Sequence, residues 1–475
     1  MTTDTPMSAA IPTRNAGPTH KTLYIVWGEN IGSGGIFDNQ VAELLLALQR
    51  RQRDVSLLVG LPVPTLLKAG LRTRSQGASH AFDAAQRKLE RLRAAGIVVH
   101  VRWLPLALNY YARFWQLPFY HLGHVRFLRE LARRERIATF HCRSYHAAVL
   151  ATLANRSLGL KVIFDPRGLF PEEGALYHRF RAGGVSFHAW KRVERRLLDA
   201  CDVSVAISTP FGAHLRAISA DARIEVIPAG ARIEQFEPRA RPGPWPSLTN
   251  ANTAAPIVLA FLGTFDASRS FYYSLKALAD VRASLQRAWG PTRFLIITAS
   301  AHAPLEHALR SFGVLPDDFE LTSSSNLAQT AALLRRADFA IYPFDPQLAH
   351  RQDPILATIL GSKTGEYLAA GLPVITTAAV GAISSLVRNR KLGVCLSSTN
   401  LAELNASDVA ELRALWNEYD DTQRRCLAAA SDFSIERTAA RYAALYASLD
   451  QPAQAIAPIA PVAQVAPEPP PQFCE

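Results

Sequence analysis

Residues 361–375 read Gly-Ser-Lys-Thr-Gly-Glu-Tyr-Leu-Ala-Ala-Gly-Leu-Pro-Val-Ile, and few folds accommodate that order of residue types. Gly361 and Gly365 permit a tight loop and a close approach of backbone to a ligand. Glu366 to Ala370 suit a short helix, and Gly371 suits its C-terminal stop. Leu372-Pro373-Val374-Ile375 then opens a buried strand with Pro373 at its first position. A helix that begins beside a glycine-rich loop points free N–H groups at whatever occupies the loop, which makes an anion site. Lys363 adds a full positive charge. Glu366, one step into the helix, has the wrong charge for phosphate but suits a pair of sugar hydroxyls. The expectation is a nucleoside diphosphate, with its phosphates on Ser362, Lys363, Thr364 and Gly365 and its ribose on Glu366. The plainer alternative is a helix–strand turn in some other α/β protein.

Related units recur along the chain. Thr22–Trp27 is a short apolar run that reads as a first buried strand. Residues 28–35 follow as a glycine-rich loop ending in Gly34 and Gly35, then Phe37–Arg51 has apolar residues at helical spacing, and Val55–Val59 reads as the next strand. Strand, glycine loop, helix, strand is how a dinucleotide-binding domain opens. The acidic residue expected at the end of the second strand is missing, because Asp54 precedes that strand and Gly60 follows it. Further strands are expected at Val98–Val101, Ala138 onward, Lys161–Phe164 and Cys201–Ser208, with helices at Phe82–Ala95 and Trp190–Ala200. Residues 238–256 contain five prolines and few large apolar residues, so they read as a linker. A second α/β set follows. Its strands are expected at Ile257–Leu262, Arg293–Thr298 and residues 337–343, and its helices at Tyr273–Leu285, Gln329–Arg336 and Leu412–Ser431.

The 361–375 block resembles the nucleotide-sugar site of retaining glycosyltransferases of family 4, which have the GT-B fold. Lysine, glutamate and then Tyr-Leu-Ala-x-Gly-x-Pro-Val is a frequent form of that site, and the resemblance implies that Glu366 holds the donor ribose. His141-Cys142-Arg143-Ser144 and Phe164-Asp165-Pro166-Arg167-Gly168 are similar to other segments of the family, as is Val226-Ile227-Pro228-Ala229-Gly230, which marks the end of the first domain. Strand ends are where open parallel sheets hold ligands, so Arg143, Asp165 and Arg167 are expected in the cleft with Gly34 and Gly35. A salt bridge is the other reading for Arg143. The resemblance places Gly263 and Thr264 in the turn after the first strand of the second domain, where the family often supplies an arginine and a lysine to the diphosphate. Arg269 and Lys276 are the nearby basic residues, with Arg269 the candidate and Lys276 also readable as helix surface. Many members carry a second glutamate eight positions before the first, and this chain has Thr358 there.

The fold expected is therefore α/β of the GT-B type, two Rossmann-like domains facing a cleft. The boundaries are a tail at 1–20, an acceptor domain at 21–237, a linker at 238–256, a nucleotide-sugar domain at 257–432, a crossing helix at 433–450 that returns to the first domain, and a Pro/Ala-rich tail at 451–475. The resemblance implies transfer of a hexosyl group from a nucleotide-diphosphate donor to a glycan or lipid-linked acceptor with retention, as in bacterial polysaccharide or surface-glycan synthesis. Lys363, Glu366 and Arg269 are the catalytic candidates. No cofactor and no metal are expected: the chain has no Asp-x-Asp near the site, and basic side chains with helix N-termini can take the charge of the leaving diphosphate. Double displacement would need a carboxylate nucleophile, and none is identifiable. The rival readings are a GT-B epimerase or phosphorylase and a catalytically inactive GT-B scaffold.

Charge bears on the partner. The chain carries +12 overall. Residues 101–200 hold 17 Lys and Arg against 7 Asp and Glu, which points to an anionic partner. Within Leu104–Arg136, Tyr110, Tyr111, Phe114, Trp115, Phe119, Tyr120 and Phe127 alternate with Arg113, Arg126, Arg129, Arg133, Arg134 and Arg136. That mixture suits an anionic membrane surface; equally, the aromatics are core and the arginines solvated. No compact nucleic-acid-reading motif is present, so no nucleic-acid partner is expected. No run approaches the length of a membrane span, and residues 1–20 have no apolar core of a signal peptide. Five scattered cysteines without a C-x-x-C fit a reducing cytoplasm. The expected location is cytoplasmic, peripheral on the inner face of the plasma membrane.

Overall fold

The computed structural model of the chain describes residues 21–29, 31–32, 35–63, 79–104, 111–239, 256–265, 273–347, 354–377 and 381–450. The expectations for both tails, for most of the 238–256 linker, and for Gly34 and Arg269 lie outside the described residues.

Two parallel sheets organise the chain. The first has seven strands, β1 (Lys21–Trp27), β2 (Val55–Pro62), β3 (Val99–Leu104), β4 (Ile137–Arg143), β5 (Lys161–Asp165), β6 (Val203–Ala206) and β7 (Ile224–Val226), in the order β3-β2-β1-β4-β5-β6-β7. The second has six, β8 (Ile257–Leu262), β9 (Thr292–Ile297), β10 (Phe319–Thr322), β11 (Phe339–Tyr342), β12 (Val374–Thr376) and β13 (Gly393–Cys395), in the order β10-β9-β8-β11-β12-β13. Among the described residues, all pairs between these strands are parallel, as in the β1–β2 and β8–β9 registers. Helices between parallel strands cover both faces of such a sheet, which is why residues 22–27 of β1 are buried without alternation.

Each order reverses once, between β1 and β4 in the first sheet and between β8 and β11 in the second. At such a switch point the connections leave in opposite directions and open a crevice beyond the strand ends. The residues beyond β1, β4, β8 and β11 are therefore the ones placed to meet ligands.

The last helix, Ile435–Asp450, packs on Glu43–Arg50 of the first domain. Ile435, Ala439, Tyr442, Leu445, Tyr446 and Leu449 share a core with Tyr24, Val41 and Leu44. Where the chain crosses between halves, Ala231 donates its N–H to Phe433 O at 2.7 Å and accepts from Ile435 N–H at 2.8 Å. The two crossings are thus tied side by side.

The structure departs locally from the sequence reading. The Phe37–Arg51 helix opens with a π-helical turn, Asp38–Ala42, before the α-helix Glu43–Arg50. Leu412–Ser431 is two helices, Ala406–Asn417 and Tyr419–Ala430, which break at Glu418 without glycine or proline. The helix of the 361–375 block begins at Ser362, not at Glu366. The strand after it begins at Val374, one residue beyond Pro373, whose carbonyl accepts from Ala340 N–H at 3.0 Å.

Candidate functional site

The helix Ser362–Ala369 is fastened across the switch point of the second sheet. Tyr367 accepts the N–H of Leu262, the last residue of β8, at 2.5 Å. Thr364 hydroxyl bonds Tyr342 hydroxyl at the end of β11 at 2.8 Å. The two strands that flank the crevice therefore hold the helix, with Gly361 in extended conformation at its N-cap. The amides of Ser362 and Lys363 have no carbonyl four residues back within the helix and open toward the loop. Gly365 is packed so tightly that an added Cβ would lie 2.7 Å from Phe433 Cβ and 3.4 Å from Ala231 Cβ. Its glycine is a packing requirement of the interdomain crossing.

Lys363 reaches across to the turn after β8. A Cβ added at Gly263 would lie 2.5 Å from the Phe261 ring and 3.1 Å from Lys363 Nζ, so the packed ring requires glycine there and the ammonium lies close above it. Thr264 beside it is exposed. Lys363 and Glu366 lie on the same helix. Burial lowers the Lys363 pKa, and Glu366 offsets only part of that. Burial pushes the Glu366 carboxyl up to about 7, against the pull of Lys363. The structure thus puts Glu366 in the second turn of the helix, with a carboxyl that binds a proton readily until a hydroxyl or a cation joins it.

Glu366 also faces the first domain. Together with Ser362 and Leu327 it lines a narrow pocket closed by Asn39, Glu43 and Arg232. Glu43 is held by Arg91 at 2.7 Å and Arg232 at 3.4 Å. The sequence reading named none of these three first-domain residues, and no motif marks them.

At the switch point of the first sheet, Arg143 ends β4 and is almost wholly buried. Its Nε donates to both oxygens of Glu29, just beyond β1, at 3.1 and 3.2 Å. Arg143 and Arg167 both donate to Gln40 Oε1, at 3.1 and 3.0 Å. Asp165 ends β5, has no exposed surface and lies 3.6 Å from Arg167 Nη1. Burial pushes the Asp165 carboxyl up, but Arg167, His141 and Arg143 outweigh it and leave it below its ordinary value. Arg167 has φ +64°, a left-handed conformation that surrounding contacts must enforce in a non-glycine residue. Gly35 stands exposed before the π-turn, and its carbonyl accepts Asn39 N–H at 2.9 Å.

Arg167 also lines an interdomain cavity of about 110 Å³, with Leu169, Phe211, Ile355, Thr358 and Ile359 among its walls. The Thr358 hydroxyl donates to Pro354 O and Ile355 O at 3.0 and 3.1 Å, so it serves its own helix. The Thr358 carbonyl accepts from Ser208 Oγ across the domain boundary at 2.8 Å. Lys276 pairs with Asp280 at 2.6 Å on an exposed helix face, away from the role considered for it. Among the described residues no group of three or more His, Cys, Asp or Glu is placed to hold a metal.

The aromatic–basic stretch divides. Tyr120 is core, whereas Trp115 is 50 % exposed, Leu122 60 % exposed, and Phe114 and Trp103 are also exposed. Arg113 lies over the Trp115 ring at 5.1 Å and Arg102 over Phe127 at 4.9 Å. Arg129 donates to Ala154 O and Leu153 O, each at 3.1 Å, where it caps a helix end. Arg126 pairs with Glu130 at 2.7 Å. Among the described residues no helix is long and apolar enough to cross a membrane.

Comparison with known proteins agrees with this layout. Residues 38–230 match the family model described as Glycosyl transferase 4-like domain, and residues 256–413 match Glycosyl transferases group 1. No curated protein matches the chain in sequence. Among solved structures, sucrose-phosphate synthase from Thermosynechococcus elongatus has a TM-score of 0.59 at 15% identity, covering 90% of this chain and 99% of that one. A glycosyltransferase from Rickettsia africae has a TM-score of 0.59 at 15% identity, covering 91% and 99%. Anabaena HepE in complex with UDP has a TM-score of 0.57 at 15% identity, covering 90% and 100%. At that identity the likeness speaks for the fold alone.

Proposed function

Because the chain is a two-domain GT-B glycosyltransferase, we propose that it moves a hexosyl group from a nucleoside-diphosphate donor to a glycan or lipid-linked acceptor, with retention at the anomeric carbon. The observation that carries this reading is the fastening of helix Ser362–Ala369 between β8 and β11, with Lys363 beside Gly263 and Glu366 buried at the interdomain pocket. Lys363 and the open amides of Ser362 and Lys363 meet the diphosphate. Glu366 accepts from the ribose hydroxyls. UDP bound to the HepE relative makes a uridine nucleotide the first donor to test.

The chemistry asks for placement and charge rather than for a nucleophile on the protein. The bond from the anomeric carbon to the diphosphate oxygen breaks, and the bond to the acceptor oxygen forms on the same face. The acceptor proton passes to the departing phosphate oxygen. Lys363 stabilises charge that grows on that oxygen, the kind of contact worth most in the transition state. Arg269 enters from the resemblance only. The acceptor approaches from the first domain, past Arg167 at the interdomain cavity; Arg143 and Asp165, expected in the cleft, are buried.

The exposed aromatics at Phe114 and Trp115 with Arg113 beside them favour an acceptor at an anionic membrane surface, on the cytoplasmic side. Surface-glycan synthesis is the role that fits. The test of the central reading is a panel of UDP-, GDP- and ADP-sugars scored by thermal stabilisation, since a ligand of the native state raises stability by mass action. NMR of the product anomer then decides retention. If no nucleotide sugar stabilises the protein, the inactive-scaffold reading replaces this one.

A further inference from the structure

Asp165 is a charged group with no exposed surface, and burying a charge is costly unless it is paired. Its Oδ2 accepts a hydrogen bond from the Tyr442 hydroxyl at 3.2 Å, lies 3.5 Å from His141 Nε2 and 3.6 Å from Arg167 Nη1. His141 Nδ1 in turn bonds the Tyr446 hydroxyl at 2.6 Å. Tyr442 and Tyr446 both belong to the C-terminal helix Ile435–Asp450, and both are buried. Two tyrosine hydroxyls thus come from the end of the chain to the strand ends of the first sheet.

What this arrangement fixes is Arg167. Its backbone is left-handed, one end of its guanidinium is tied to Gln40 and the other faces Asp165, and its Nε is buried without a hydrogen-bond partner among the described residues. It also forms part of the cavity wall between the domains. We propose that Tyr442 and Asp165 are positioning residues that hold Arg167 toward the interdomain cavity, so that the C-terminal helix shapes the acceptor side of the cleft. This rests on the reading of that side as the acceptor's. Arg167 is the group that touches the acceptor; Tyr442 and Asp165 act through it.

The experiment follows the Arg167 guanidinium itself and needs no acceptor. Phenylglyoxal modification of Arg167 is timed by mass spectrometry in the wild type, Tyr442→Phe, Asp165→Asn and Tyr446→Phe, with melting temperatures recorded in parallel. Weakening the ion pair between Arg167 and Asp165 should raise the Arg167 rate by about tenfold in Asp165→Asn, which removes its charge, and in Tyr442→Phe, which frees the Asp165 carboxylate that the pair depends on. Tyr446→Phe removes the same atom from the same helix, but that hydroxyl bonds His141 and not Asp165, so the variant should lose comparable stability and leave the Arg167 rate within about twofold of wild type. Tyr442→Phe and Asp165→Asn test the same tether by different atoms, so either one that folds is decisive. An unchanged Arg167 rate in a folded variant, or an equal rise in Tyr446→Phe, overturns the proposal. Thermal stabilisation of the wild type by UDP-glucose reports separately on the donor reading, so failure of one is not mistaken for failure of the other.

Discussion

Lys363 and Gly263 touch across the crevice of the second sheet: a single methyl at Gly263 would stand 3.1 Å from the Lys363 ammonium and 2.5 Å from the Phe261 ring. Gly263→Ala must therefore displace the buried Phe261 ring, which costs stability, and push the Lys363 ammonium aside by a few tenths of an ångström. The expected result is a fold that persists and a nucleotide affinity that falls about tenfold or more, the cost of misplacing one charged contact. Calorimetry with UDP checks it, and an alanine variant with wild-type affinity removes Gly263 from the site.

Removing the charge outright should act on turnover. Lys363→Ala is expected to lose on the order of 10–1000-fold in kcat/KM, as for a donor aimed at charge developing in the transition state. EDTA should leave the rate unchanged, because the diphosphate is met by Lys363 and backbone amides. Inhibition by EDTA that Mg²⁺ or Mn²⁺ reverses would count against this.

Glu366 offers a test with a sign. Its carboxyl is pushed up to about 7 by burial, above its value in the unfolded chain, so the folded state holds the proton more tightly. The stability this contributes is present at acid pH below the unfolded pKa and is lost as pH rises through about 7. Glu366→Gln, which cannot ionise, should lack that loss. Melting temperatures between about pH 5 and pH 8 should show wild type falling relative to the glutamine variant. Glu366→Ala should abolish transfer with the fold intact. Near-normal turnover in that protein would end its assignment to the ribose.

For the membrane surface, liposome co-sedimentation should show binding that rises with anionic lipid and falls with salt. Because Arg129 caps a helix end and Arg126 is already paired, the sensitive substitutions should be Arg113→Ser and Trp115→Ser. Protein that stays in the supernatant with anionic vesicles at low salt would favour a soluble acceptor.

The fold was legible because buried parallel strands are continuous apolar runs, as at Thr22–Trp27 and Ile257–Leu262. Helix Ser144–Asn155 was not legible: it follows β4 without a loop, and most of its residues are buried, so no amphipathic period marks it. In the second domain, Lys363 and Glu366 stand out because the short block 361–375 carries special residue types, and Gly263 because it follows an apolar run directly. In the other half, the Asp165–Tyr442 contact spans 277 positions, and Gln40 lies within an ordinary amphipathic pattern. Only packing reveals such partners. Glu29 was in view as part of the glycine-rich loop, but its pairing with Arg143 became evident only once β1 and β4 were neighbours.

Helix Ile435–Asp450 completes the core of a domain whose other strands and helices lie before residue 237. Domains usually fold in the order in which they emerge from the ribosome. Here the first sheet emerges early but lacks the apolar cover over Tyr24, Val41 and Leu44 until residues 435–450 arrive. The first domain to be synthesised is the last to be finished, and a chain stopped short of residue 435 would leave its N-terminal half, not its C-terminal half, exposed to aggregation.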